Sequence, residues 1–252
     1  MPTDTKAPRN WFDQGGQAYA RFRPEYPPDL SRFLSGIAPS RERAVDIGCG
    51  NGQLTVQLAA YFNEVIGLDL SEDQIANAPT RERVRYICEP AEKLPLPDRS
   101  VSLITAAQAA HWFDLAAFYA EARRLAINGA IIALISYGVP RLDADVQERF
   151  SRFYYDEIGP YWPPERKLVD SGYADINFPF DERAAPAMNI QRYWDLSELF
   201  GYISTWSAVR RVREARREDV PRTFASDLAD LWGDASKKRP VMWPINMRLG
   251  TI

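Results

Sequence analysis

Eight residues, Val45 to Gly52, constrain what this chain can fold into more than any others: VDIGCGNG. Ala44, Val45 and Ile47 read as a buried strand, Gly48, Gly50 and Gly52 as a turn, and Gln53 to Tyr61 as a helix. A strand feeding a helix through a tight turn is a βα unit of a parallel sheet. Glycines reach left-handed backbone angles and let a ligand come close to the main chain. The start of the helix offers N–H groups without intrahelical partners. The three parts together make a ligand cradle.

Two cofactor classes use such a cradle. The dinucleotide fingerprint is G-x-G-x-x-G/A. Here the spacing is G-x-G-x-G, with Asp46 two residues before the first glycine. A pyrophosphate needs donors and gains nothing from a nearby acid, whereas a cofactor carrying an ammonium and a sulfonium does. The corner therefore favours S-adenosylmethionine (SAM) over NAD. A second strand, Glu64 to Leu70, places Asp69 about 17 residues beyond the last glycine. At the carboxyl edge of a doubly wound sheet that carboxylate can accept from both ribose hydroxyls. Its bland alternative is a turn or N-cap role before SEDQIANA. Ser71 is the better N-cap, because Gln74 stands three residues later. Arg83 to Cys88 reads as the third strand. Ala91, Glu92, Lys93, Leu94 and Pro95 follow, then Ser100 to Ala106 as the fourth.

In that order, DIGCGNG, Asp69 and AEKLP resemble the motifs of class I SAM-dependent methyltransferases. HWFD at 111–114 resembles the methyltransferase type 11 and trans-aconitate methyltransferase-like group. The resemblance implies an α/β, Rossmann-like fold: a seven-stranded, mostly parallel sheet with an antiparallel last strand and helices on both faces. A helical, aromatic cap is inserted after the fifth strand. The resemblance also implies SAM as cofactor, held by Tyr19, Arg23, Asp46, Gly48, Gly50, Asp69, Leu70, Ala91, Glu92 and Gln108. Ala91 and Glu92 would lie by the adenine, with Leu94, Pro95 and Leu96 as an apolar wall. The amino-terminal WFDQGGQAYARFRPEYPP would close over the cofactor as a lid, Tyr19 and Arg23 facing in. The same aromatics can instead pack on the core as a flap.

His111 and Trp112 follow the fourth strand, whose end faces the ligand crevice in such folds. They are candidates for the acceptor site, with Tyr202 and Trp206 as further acceptor walls. The rings can equally fill a core. His111 is the chain's single histidine. It orients an acceptor, takes its proton, or is structural. A carboxylate needs no strong base, so His111 and Arg210 or Arg211 would orient it. A phenol, hydroxyl or amine requires His111 as general base. Similarity to carboxyl methyltransferases favours O-methylation of a small-molecule carboxylate. The competing readings are an NAD-dependent oxidoreductase and a SAM-binding protein without turnover.

The 252 residues read as one domain: lid 1–28, SAM-binding core 29–139, cap 140–200, and a carboxyl-terminal helix and final strand 201–252. Helices are expected at Asp29 to Ile37, Leu115 to Ala126 and Asp143 to Ile158, with a helical stretch over Trp194 to Arg213. Ala130 to Tyr137 reads as the fifth strand and Asp175 to Phe180 as the sixth. Pro240 to Ile252 reads as the last, antiparallel to the sixth. Net charge is −3 with both signs interspersed, which argues against a nucleic-acid partner. The cluster Arg210, Arg211, Arg213, Arg216 and Arg217 reads as a solvated helix face. No apolar run approaches the roughly 18 residues of a membrane span. MPTDTKAPRN carries no signal-peptide core, so a cytoplasmic location is expected. Two cysteines and one histidine argue against a metal site or a disulfide. The expected partner is a small-molecule methyl acceptor, with the chain as monomer or homodimer.

Overall fold

A computed structural model describes residues 23–252. Tyr19 and most of the expected lid lie outside the described residues. The first half alternates strand and helix: α1 (Pro28–Ile37), β1 (Arg43–Ile47), α2 (Gln53–Leu58), β2 (Glu64–Asp69), α3 (Glu72–Ala76), β3 (Val84–Cys88), β4 (Val101–Ala107), α4 (Leu115–Leu125) and β5 (Ala126–Tyr137). Local chemistry sets the helix starts. Pro28 supplies a fixed φ at the first turn of α1. Ser71 Oγ accepts from Gln74 N–H to cap α3, as its spacing predicts. Asp114 accepts from the N–H groups of Ala116 and Ala117 to cap α4.

The second half adds α5 (Ala144–Arg152), which runs on into a π-helical turn over Phe153–Glu157. It continues with α6 (Arg166–Asp170), β6 (Asp181–Arg183), β7 (Met188–Trp194), α7 (Leu196–Ser204), α8 (Ser207–Glu214), α9 (Asp219–Trp232) and β8 (Arg239–Thr251). The strand order is β3-β2-β1-β4-β5-β8-β6, with β7 also paired to β8. β1 to β5 pair in parallel, and every pairing of β8 is antiparallel. The order reverses between β1 and β4, so a crevice opens at their carboxyl ends.

The architecture is the expected one, with differences on the β8 side. The sheet has eight strands among the described residues, not seven, because β8 is long enough to pair with β7 as well as with β5 and β6. Its first half pairs with β7 and its second half with β5 and β6. Asp175 to Phe180 is not a strand. Phe178 and Phe180 instead pack their rings on Tyr119 of α4, at 6.4 and 5.2 Å between centroids. β5 starts at Ala126, four residues early, through a register irregularity opposite Val101 and Leu103. The helical stretch expected over Trp194 to Arg213 is β7's last residue followed by two helices, broken at Thr205 and Trp206.

Alternation along β5 divides the core into two layers. Ile131, Ala133, Ile135 and Tyr137 face α1, α2 and most of the cap. Ile132 and Leu134 face α4. The cap is not confined to one side. Ile158 belongs to the first layer, and Val169 and Tyr173 to the second, so the chain crosses the sheet between them. Among the described residues no helix is long and apolar enough to cross a membrane.

Candidate active site

A cavity of about 280 Å³ opens at the carboxyl ends of β1, β2, β4 and β5. The glycine corner forms its floor. Gly48, Gly50 and Gly52 all have positive φ, at +66°, +55° and +82°. A Cβ on Gly48 would overlap the Cβ of Ala109, and one on Gly52 would overlap the Tyr86 ring. The turn is also stitched across the sheet, since Cys49 N–H donates to Leu68 O at 2.8 Å.

Asp69 stands beside the corner with its carboxylate already fixed. Gly50 N–H donates to Oδ2 at 2.8 Å and Ser71 N–H to Oδ1 at 2.9 Å. Burial nevertheless raises its pKa above the ordinary carboxylate value, the backbone donors opposing that rise. Leu70 is 64% exposed, an apolar side chain left open on the cavity wall. Ala91 and Glu92 line the same end. The Glu92 carboxylate accepts from Asp114 N–H at 3.0 Å, which ties this wall to the start of α4. Leu94 and Leu96, expected as wall, are buried in the core instead. Their carbonyls accept from Arg124 on α4, which is itself paired with Glu121.

Asp46 lines the cavity but is almost completely buried. Thr55 Oγ1 donates to Oδ2 at 2.7 Å and Thr105 Oγ1 to Oδ1 at 2.8 Å. The acid thus joins β1 to α2 and β4. Burial raises its pKa to about 6, against the pull of both hydroxyls. The same burial, with Asp46 and Asp69 nearby, pushes the Cys49 thiol up.

The other end of the cavity is formed by Arg23, Tyr26, Gln108, Trp112 and Tyr137. Gln108 closes β4 with φ +57°, an unusual angle for a side chain of its size. Its Nε2 donates to Tyr137 O at 2.6 Å, linking the ends of β4 and β5. Trp112 is 37% exposed here. His111, on the same 3-10 turn (Ala110–Trp112), points away from Trp112's wall and toward the cap: its Nδ1 lies 2.9 Å from Tyr173 Oη. Burial, with the charge of Arg166 adding to it, lowers its pKa to about 3. The imidazole is therefore neutral at physiological pH.

Three of the residues expected at the acceptor site do not line the cavity: His111, which is turned toward the cap, and two that are buried in it. Tyr202 and Trp206 are 3% and 4% exposed and do not line the cavity. They belong to an aromatic core in which Trp206 packs against Phe150, Tyr154, Trp162 and Tyr202. Tyr202 still touches the site from behind, with the Arg23 guanidinium 5.7 Å over its ring. Arg210 and Arg211 lie on α8 and are not cavity residues either; Arg211 donates to Tyr161 O at 3.3 Å.

Residues 45–134 match the family model for a methyltransferase domain. A Dictyostelium discoideum protein that is named a methyltransferase is 39% identical over 224 residues, covering 87% of this chain and 85% of its own length. The chain belongs to the class I SAM-dependent methyltransferases. A solved Anaeromyxobacter dehalogenans structure, titled a type II methyltransferase, is 43% identical. It superimposes with a TM-score of 0.86 and covers 91% of this methyltransferase and 98% of that chain. A Saccharomyces cerevisiae protein named an S-adenosylmethionine-dependent methyltransferase is 28% identical over 75% of the chain and 77% of its own length. The family membership sets aside the NAD-dependent oxidoreductase reading.

Several cavity residues of this methyltransferase were not singled out as site residues by the sequence. Tyr26 and Tyr137 meet edge to face at 5.9 Å, bringing the amino-terminal segment onto the end of β5. Gln74 and Phe113 also line the wall. Gln74 was legible only as a partner of the Ser71 cap. Tyr173 reaches His111 from the cap, and the charge of Arg166 acts on it from there, 62 and 55 positions further along, and nothing local in the sequence marks them.

Proposed function

We propose that this enzyme transfers the SAM methyl group to an oxygen of a small-molecule carboxylic acid. The observation that carries the reading is His111. The chain's single histidine is held neutral, with a pKa near 3, so it is a poor base at any physiological pH. Asp46 is occupied by Thr55 and Thr105. An acceptor that arrives with its nucleophilic oxygen already ionised, as a carboxylate does and a phenol or alcohol does not, needs neither of them as a base. Arg23 at the cavity wall and Arg166 behind His111 add positive charge at that end.

The cavity suits the cofactor that the family uses. The glycine corner brings main chain to its floor, Asp69 is preset as an acceptor for two hydroxyls, and Leu70 is an exposed apolar face for a base. On this reading Asp69 takes the ribose, and Leu70, Ala91 and Glu92 take the adenine. Gly48 and Gly50 pass under the amino-acid portion. Arg23, with Tyr19 beyond the described residues, takes its carboxylate, and Gln108 joins them from β4. Asp46 supplies a negative field beneath the cationic end. When bound, SAM supplies a methyl carbon on a positively charged sulfur, open to an oxygen lone pair. The chain's own part is to orient the acceptor against Trp112, with His111 behind that wall, and to exclude water.

The test is a methyl-transfer screen over small carboxylic acids, phenols and amines, with methyl product and S-adenosylhomocysteine both measured. Methyl esters from one or more acids are expected. Turnover confined to phenols or amines would overturn the carboxylate reading. Tight SAM binding with no methyl product from any class would favour a binding protein without turnover.

A further inference from the structure

The fold itself occupies several polar side chains of the cavity wall. Two threonines hold Asp46, two main-chain N–H groups hold Asp69, Glu92 accepts from Asp114 N–H, and Gln108 donates to Tyr137 O. Gln74 differs. It lines the same cavity and is only 4% exposed. Its Oε1 is sealed from solvent and meets no hydrogen-bond donor among the described residues. Buried polar groups are nearly always paired, because leaving one unmatched is costly. An apolar side chain would fill this place better, so the amide calls for a partner that arrives with a ligand.

A chain of short contacts ties this amide to Asp69. Gln74 N–H donates to Ser71 Oγ at 3.3 Å, and Ser71 N–H donates to Asp69 Oδ1 at 2.9 Å. Asp69 Oδ2 accepts from Gly50 N–H at 2.8 Å. Gly50 closes the circuit. A Cβ on it would stand 3.8 Å from Gln74 Oε1, with no other heavy atom within 4 Å apart from its chain neighbours. A carboxylate and a carboxamide therefore meet at one glycine of the cavity floor. Their capacities differ. An ionised carboxylate only accepts, whereas a carboxamide also carries two N–H donors. A hydroxyl that gives its proton to Asp69 keeps lone pairs that Asp69 cannot serve. Nε2 of Gln74 is neither sealed nor bonded to a described residue, so a donor is the end left open.

We propose that Gln74 is a second binding residue for the vicinal diol of the nucleoside, its Nε2–H donating to one of the two hydroxyls from which Asp69 accepts. The inference rests on the reading that Asp69 takes the ribose. The pair then selects a ribonucleoside over a deoxynucleoside. A ligand without the shared hydroxyl leaves the amide unmatched again, and a site built to bond a hydroxyl rejects the analogue that lacks it.

The test is a binding cycle with S-adenosylhomocysteine and its 2′-deoxy and 3′-deoxy counterparts, read by calorimetry, so that no turnover is needed. Gln74→Met keeps the length of the side chain and removes the amide. Its affinity for S-adenosylhomocysteine should fall about five- to tenfold. The melting temperature of the ligand-free protein should stay level or rise, since an unmatched buried group has gone. With one of the two deoxy ligands the gap between wild type and variant should shrink to less than about twofold, because the hydroxyl that Gln74 serves is already missing. Unchanged affinity for S-adenosylhomocysteine, or an equal loss for all three ligands, would overturn the proposal and make Gln74 a packing residue. If Gln74→Met fails to fold, Gln74→Glu takes its place. It keeps the shape, has no N–H and adds a like charge near Asp69, so at least a tenfold loss is expected with the same dependence on one hydroxyl. Asp69→Ala, run with the same three ligands, keeps the two claims apart. A hydroxyl-dependent loss in the Asp69 variant but not in the Gln74 variant overturns this proposal alone. The reverse pattern overturns the Asp69 reading and leaves the Gln74 contact standing.

Discussion

At the glycine corner three residues of five, Gly48, Gly50 and Gly52, sit at positive φ, and polar bonds fix them: Gly50 to Asp69, Cys49 to Leu68, Asp46 to two threonines. In the cap, Phe153 lies flat on Phe224 at 3.8 Å, and Trp206 gathers four further aromatic residues around it. The corner spends backbone strain to leave a surface open, and its partners, Thr105 aside, lie within about 25 residues of one another. The cap closes its surface, and its partners, Tyr202 aside, lie about 45 to 70 residues apart. Substitutions in the two regions should therefore fail differently. Cap changes should lower stability with little effect on the cofactor, and corner changes should alter the cofactor site.

The largest effect is expected in the cap. Phe153→Ala removes a fully buried ring that stacks on Phe224. Large-to-small changes of this kind cost about 3–5 kcal/mol. Denaturant unfolding should show that loss, while SAM affinity measured by calorimetry well below the melting point stays within threefold. A parallel collapse of affinity would erase the distinction between the regions. Gly48→Ala sharpens it from the other side. A left-handed alanine costs roughly 1–2 kcal/mol, and its Cβ must displace Ala109, beside Gln108 on the cavity wall. Stability should fall by about 2–3 kcal/mol, and SAM affinity at least tenfold with it.

The same contrast explains what could be read from residues alone. β1 to β4 and the helices between them were legible because each is a local pattern: an apolar run, a glycine turn, a capping serine. β7 was not. Its buried residues Ile190 and Trp194 are four apart, a helical spacing, and the chain reads on into α7 without a break. β6, DER, is polar and exposed throughout, so only its partner β8 makes it a strand. DINFPF has alternating apolar residues, yet its phenylalanines are held by Tyr119 rather than by a ladder. At the site, Asp69 and the glycines are adjacent to their neighbours in sequence. Tyr173 and Arg166 become neighbours of His111 only when the cap crosses the sheet. Tyr202 and Trp206 carry the composition of a binding wall and the burial of a core.

Asp46 tests whether the corner's buried acid destabilises the fold in exchange for its charge. Its folded pKa, about 6, lies above the ordinary value of 3.8. Between those values the folded state holds a proton that the unfolded state has released, so the Asp46 contribution to stability falls as pH rises from 4 to 6. Two pKa units correspond to about 2–3 kcal/mol. Other carboxylates cancel in the difference between Asp46→Asn and wild type. That difference should shift in favour of the variant by up to about 2 kcal/mol between pH 4 and pH 7. A flat difference would mean that Thr55 and Thr105 fully compensate the burial.

The smallest of the four expected effects is the most specific. Asp69→Ala removes a carboxylate whose two oxygens accept from Gly50 and Ser71. Both N–H groups lie at the cavity edge, where water can replace the lost partner, so the fold should survive with a change of about 1 kcal/mol or less. The ribose, on the reading proposed above, loses charge-assisted hydrogen bonds worth ~1.5–3 kcal/mol each. SAM affinity should fall at least tenfold. Asp69→Asn separates the charge from the contact, since an amide keeps one acceptor oxygen and should lose less affinity than alanine does. Equal losses in both variants would point to the negative charge rather than to hydroxyl recognition. Unchanged affinity in Asp69→Ala would mean that the nucleoside lies elsewhere in the cavity, and that the corner binds its ligand through main chain alone.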